Sequence, residues 1–180
     1  MSSITEIISS YLIQDSSSNI NYFTNRNGLQ LAYNISIKKP DDKRIWIINQ
    51  MWPPGVFILC GFLYDHLNVN TFKFEYSGNG NSQGEFTFAG YISDAHDIND
   101  AVNFLTGRGY EVEGIIGMSM CAIGVIIYSA LYGQVKRIVS LSARFHMNIL
   151  PIFLQEAFES ARQNKEVFHT AFGGKLRLTW

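Results

Sequence analysis

The stretch Val112-Glu113-Gly114-Ile115-Ile116-Gly117-Met118-Ser119-Met120-Cys121-Ala122-Ile123 decides how this sequence is read. Val112–Gly117 is a short apolar run of the kind that forms a buried strand, and Met120–Tyr132 has the length and apolar content of a helix. Only Met118 and Ser119 lie between them. A strand that runs straight into a serine and straight out into a helix needs a sharp turn. That turn strains the serine backbone and aims its Oγ out of the sheet. Small residues must flank it, because the strand and helix backbones nearly touch there. Gly117, Cys121 and Ala122 are small enough.

Working outward, strands and helices alternate on both sides of this turn. Arg44–Gln50 is a continuous apolar strand, as expected for a position covered on both faces. Pro53-Pro54-Gly55 breaks the chain, Val56–Leu67 reads as a helix, and Thr71–Tyr76 as a strand. A helix is expected from about Ile92 to Thr106, with Ser93 as its N-cap and Asp94 and Asp97 in its first turn. Val135–Leu141 is the strand after the Met120–Tyr132 helix. This order implies an α/β fold: a mostly parallel sheet with helices on both faces. Ile20–Thr24 and Leu29–Ile37, joined by Asn25-Arg26-Asn27-Gly28, form an antiparallel hairpin expected at one edge.

This pattern divides the chain into three segments. Residues 1–19 are an amphipathic helix, with Ile4, Ile7, Ile8, Tyr11 and Leu12 on one face, and a Ser-rich linker. Residues 20–147 are the core. Residues 148–180 read as a helix over Ile149–Asn164 and a hairpin around Gly173-Gly174, the start of a cap or of an incomplete C-terminal region.

Composition limits the functions available. The 180 residues include 47% hydrophobic and 16% charged residues with a net charge of -1, enough apolar material for one real core and too little basic charge for a nucleic-acid surface. The 13 Phe and 9 Tyr fall in alternating or helical patterns, which places them in a core rather than on a base-stacking platform. No apolar stretch is long enough to span a bilayer, and the N-terminus has no secretory pattern, so the cytoplasm is the expected location. Cys60 and Cys121 lie in apolar surroundings outside any metal-ligand spacing, as reduced core thiols would. Neither a metal nor a cofactor is expected.

A second serine competes with Ser119. Gly80-Asn81-Ser82-Gln83-Gly84 fits the pattern G-x-S-x-G letter for letter, whereas Gly117-Met118-Ser119-Met120-Cys121 ends in Cys. Context favours Ser119. Glu85-Phe86-Thr87-Phe88 comes after Ser82 and no helix opens there, so Ser82 reads as part of a turn that closes a strand. The same absence of a helix argues against a dinucleotide site at Gly78-x-Gly80.

Phe74-Glu75-Tyr76-Ser77-Gly78-Asn79-Gly80-Asn81-Ser82-Gln83-Gly84-Glu85-Phe86 resembles the F-D-x-R-G-x-G-x-S-x-G-E-F segment of the α/β-hydrolase superfamily, and Leu141-Ser142-Ala143-Arg144-Phe145-His146 is similar to a stretch in its esterase-like members. The resemblance runs over roughly residues 28–147. It implies a serine hydrolase acting on a carboxylic ester or thioester, with a small acyl or ester ligand and Ser119 in the nucleophile position. It also implies an oxyanion hole of two backbone N–H groups, from Met120 and from near Met51. Glu75, Ser77, Asn79 and Cys121 depart from the pattern, and Asn49-Gln50 stands where the superfamily has His-Gly.

The acid and base implied by the resemblance are not found where it puts them. No Asp occurs after Asp100, and the carboxylates after Ser119 are Glu156, Glu159 and Glu166. His146 has no acid between it and Ser119, while Glu166 and His169 are too close in sequence to occupy two strand ends. These three are the weak candidates. The simplest expectation is a sequence that stops before the last strands of the fold. The alternative is a catalytically inactive relative that binds a ligand, or a partner protein at an open sheet edge beside Val135–Leu141.

Overall fold

The computed structural model describes residues 20–49, 66, 68–87, 89–143, 167–169 and 175–177. The predicted elements at 1–19, Val56–Leu67 and Ile149–Asn164 lie outside the described residues, apart from His66, which is helical and exposed.

Six strands form one sheet: β1 (Asn21–Thr24), β2 (Gln30–Ser36), β3 (Arg44–Asn49), β4 (Asn70–Phe74), β5 (Glu111–Met118) and β6 (Arg137–Leu141). Their order is β1-β2-β4-β3-β5-β6. β4, β3, β5 and β6 run parallel, and the β1–β2 hairpin adds to β4 antiparallel. The mostly parallel sheet with an edge hairpin is therefore the one expected. β7 (Val167–His169) and β8 (Lys175–Arg177) pair antiparallel as a separate two-stranded sheet.

Two described helices, α1 (Tyr91–Gly107) and α2 (Met120–Leu131), pack against each other on one face. Period-two alternation along the strands builds that face. Ile45, Ile47, Phe72, Phe74 and Ile115 point toward Ile98, Leu105, Val125 and Tyr128. Trp46, Ile48, Ile116 and Met118 point the other way, into a second apolar cluster. Phe23, Tyr33, Phe72 and Phe104 meet with ring centroids 5.0–6.1 Å apart, so these aromatics fill a core.

The start of α1 differs from expectation. Gly90 is the N-cap, not Ser93, and no side chain caps the helix. Gly90 N–H closes a turn onto Thr87 O at 3.2 Å, and Asp94 N–H donates to Gly90 O at 3.0 Å. The chain therefore enters the helix at Gly90, which leaves Ser93 exposed within the first turn. Asp97 consequently lies in the second turn, where it is buried.

Candidate active site

Ser119 sits between the last residue of β5 and the first of α2, with φ 57° and ψ -119°. A positive φ is rare for a residue with a Cβ and persists only where the surroundings dictate it. Here both neighbours are fixed: Ser119 N–H donates to Leu141 O of β6 at 2.8 Å, and Ser119 O accepts from Ala122 N–H at 3.2 Å. The strand-to-helix crossing is as tight as the sequence suggests. A Cβ on Gly117 would lie 2.6 Å from both Cys121 O and Val125 Cγ2, so no larger residue fits. Cys121 occupies the other close position and is buried.

The Ser119 side chain is half-buried and does not cap α2. Met120 begins the helix, and the N–H of a first helical residue has no intrahelical acceptor. That leaves it available to a bound oxygen, as an oxyanion donor must be. Met51, the other expected donor, lies outside the described residues.

Ser82 is different. Its hydroxyl donates to Glu75 O at 2.7 Å and accepts from Ala32 N–H at 2.9 Å, tying the loop after β4 to β2. Gln83 extends the tie through Gln83 N–H to Gln30 O and Gln30 N–H to Gln83 Oε1, at 2.9 and 3.0 Å. This hydroxyl has a structural task on both its donor and its acceptor side.

Among the described residues, no hydrogen bond joins Ser119 to a histidine. His96 on α1 contacts the Tyr132 hydroxyl through Nδ1 at 2.5 Å. Tyr132 caps the C-terminus of α2, about 20 Å along the helix axis from Ser119. His169 lies in the separate β7–β8 sheet. His146 and Glu166 lie outside the described residues.

Sequence reasoning missed a group that the fold brings to this region, the carboxyl of Asp94. Asp94, Asp97 and Asp100 recur every three residues on α1, so they share one side of the helix. Asp97 accepts from Asn25 Nδ2 and Ser77 N–H, both at 2.8 Å, and Asp100 pairs with Arg26 at 2.9 Å. The Asp94 carboxyl has no hydrogen-bond or ion-pair partner among the described residues. Burial, with the neighbouring Asp97 carboxylate adding to it, pushes this carboxyl up to about 7. Its side chain abuts α2, since a Cβ on Gly124 would lie 3.2 Å from Asp94 Cβ. The three-residue spacing was the available signal: three carboxyls on one side of a packed helix cannot all point to open water.

Asp94 also lines a small cavity, together with Ser77, Glu85, Thr87, Ser93 and Met120. Beneath it lies a buried polar group. The Tyr76 phenol, which burial pushes well above its ordinary value, faces Asp94, Cys121 and Asn49. Among the described residues, the Tyr76 hydroxyl and the Asn49 amide find no partner in hydrogen-bond geometry. No group of three or more metal-ligating side chains occurs among the described residues. No described helix is long and apolar enough to cross a membrane.

The sequence matches no protein-family model, and no curated protein matches it. Solved structures do. The esterase Pf2001 of Pyrococcus furiosus is similar with a TM-score of 0.65 at 16% identity, over 89% of this chain and 60% of its own. A hydrolase from Pseudomonas aeruginosa PA01 gives 0.61 at 14%, over 84% of this chain and 56% of its own. Est1E of Butyrivibrio proteoclasticus, solved with ferulic acid bound, gives 0.57 at 16%, over 87% and 66%. This chain has the α/β-hydrolase fold. It spans between 56% and 66% of the lengths of these three proteins.

Proposed function

We propose that this chain carries the nucleophile-bearing part of a serine hydrolase site for a carboxylic ester or thioester, with Ser119 as the nucleophile and Met120 N–H as one oxyanion donor. The backbone of Ser119 carries this reading. A serine held at positive φ between a central strand and a helix, with its hydroxyl unused in capping, is costly to keep. The esterase and hydrolase neighbours share the fold and support the reaction class.

In such a reaction Ser119 Oγ attacks the carbonyl carbon and its proton passes to a base. The negative charge that develops on the carbonyl oxygen is held by Met120 N–H at the start of α2. Among the described residues no hydrogen bond joins Ser119 to a base. His146, His169 and Glu166 remain the sequence candidates.

Fluorophosphonate labelling with and without imidazole tests the assignment. Without a base, Ser119 Oγ stays protonated, and losing such partners costs about 10⁶-fold in turnover in well-studied enzymes. The expected result is near-background labelling of the chain alone and imidazole-dependent labelling that Ser119→Ala abolishes and Ser82→Ala spares. Labelling without imidazole that still needs Ser119 would locate a base within the chain. Labelling that persists in Ser119→Ala contradicts the proposal.

A second reading is a non-catalytic binding module. Its support is β6, which among the described strands pairs only with β5 and leaves one edge to a partner strand. Pairing with another chain that protects the amides of Arg137–Leu141 from exchange, with no Ser119-dependent labelling, would favour it.

A further inference from the structure

We propose that the cavity beside Met120 is a subsite for a protonated amine, with Asp94 as its counter-ion. In the serine hydrolase proposed above, the amine would belong to the acyl or alcohol part of the ester.

Position is the first argument. The cavity includes Met120, whose N–H would hold the carbonyl oxygen, so a group seated against Asp94 would be continuous with a carbonyl at Ser119. Lining chemistry is the second. Its charged groups are carboxyls, Asp94 and Glu85, and its other polar side chains include the acceptors Ser77, Thr87 and Ser93. Among the described residues, no Lys, Arg or His lines it. An ammonium head brings three donors and no acceptor to this set of oxygens, whereas a carboxylate or phosphate would meet two like charges.

The third argument is the contrast along α1. Asp97 and Asp100 are each satisfied by a specific donor set, while the Asp94 carboxyl has none among the described residues. The groups that face it make matters worse rather than better: Asp97 on its own helix is acidic, and Tyr76 on the strand side is neutral and buried. Cys121 of α2 faces the same phenol, and Glu85 stands across the cavity. A carboxyl so placed resists ionisation, and a cation bound against it would relieve the desolvation and the repulsion together. By linkage, amine binding must lower the Asp94 pKa, and raising the pH through that pKa must strengthen amine binding.

The test uses the full chain and methylammonium chloride as the probe, at constant ionic strength held with tetramethylammonium chloride. The Asp94 carboxyl is monitored by carbon-detected NMR. The expected midpoint without probe is about 7. Saturating methylammonium should lower it by about one unit, equivalent to about tenfold tighter binding to the ionised form. Asp94→Asn should abolish saturable binding of the probe, and Asp94→Glu should retain part of it. An unmoved midpoint, or an equal shift from either cation, overturns the proposal. Binding is read independently of catalysis. If Ser119 is labelled but methylammonium does not bind, only the subsite is lost. If methylammonium binds without any Ser119 reactivity, the subsite stands and the hydrolase reading fails.

Discussion

Two serines in this molecule sit in nearly the same sequence pattern and have opposite fates. Ser82, in the perfect G-x-S-x-G, has its hydroxyl bonded to Glu75 O and Ala32 N–H, in a loop that braces β2. Ser119, in the imperfect pattern, has a strained backbone and a hydroxyl with no capping duty. The motif letters do not make the difference. The next element of secondary structure does: a helix begins at Met120, directly after Ser119, whereas no described helix begins between Ser82 and Tyr91. A backbone forced from strand to helix in one residue concentrates strain on that residue, while a backbone that wanders through a loop can spend its serine on hydrogen bonds.

The strongest way to break this comparison is to remove the tight crossing. Gly117→Val places side-chain atoms where Cys121 O and Val125 Cγ2 already lie. It should destabilise the fold by about 3 kcal/mol or more, the range of overpacked and backbone-strained substitutions, and urea unfolding would measure it. A loss below about 0.5 kcal/mol would mean that the crossing has room for a side chain.

Asp94 gives the next largest effect, and it depends on pH. Its folded-state value of about 7 lies above the ordinary 3.8. The folded state therefore holds a proton that the unfolded state has released between these values. The stabilisation is complete below the ordinary value and is lost as pH rises toward and through about 7. Asp94→Asn should flatten that fall and exceed the parent protein in stability at pH 8 by about 2 kcal/mol, roughly half the full linkage value because the carboxyl keeps some contact with water. Thermal melts at pH 5 and pH 8 would show it. A parent protein whose stability does not fall over this range would contradict the placement of Asp94.

Smaller again is Ser82→Ala. It removes one donor and one acceptor from a partly buried junction, and should cost about 1–2 kcal/mol with no effect on chemistry at Ser119. The smallest effect has the opposite sign. Ser119→Gly relieves a positive φ and should stabilise the chain by about 1 kcal/mol in denaturant titrations. A destabilising Ser119→Gly would show that the hydroxyl has a structural role, like that of Ser82.

These contrasts also mark what is legible in the sequence. The order of β3 to β6 and the turn at Ser119 can be read there because apolar runs, glycines and abrupt strand-to-helix junctions are local features. The Asn25–Gly28 hairpin is legible for the same reason, and Gly28 does adopt φ 78°. The start of α1 misleads because Ser93 has the right chemistry for a cap, whereas the turn onto Thr87 places the cap at Gly90, three residues earlier. Asp94 reads locally as a dipole-stabilising acid in a first turn. Its burial against Gly124 and Tyr76 depends on how α1, α2 and β4 pack together, and no local pattern contains that information.

The central claim is that the turn at Ser119 is built to activate a nucleophile, and Ser119→Cys tests it most directly, since a thiol reports on its surroundings without needing a base. At the start of α2, beside unpaired helix N–H groups, the new thiol should titrate about one unit or more below the ordinary value of about 8.5. The pH dependence of iodoacetamide alkylation, corrected for the parent protein, gives that value, with Ser82→Cys as the reference. The account predicts a depressed midpoint and faster alkylation near neutral pH for Ser119→Cys, and slow alkylation for Ser82→Cys. An ordinary midpoint at position 119, with a rate no greater than at position 82, would contradict it.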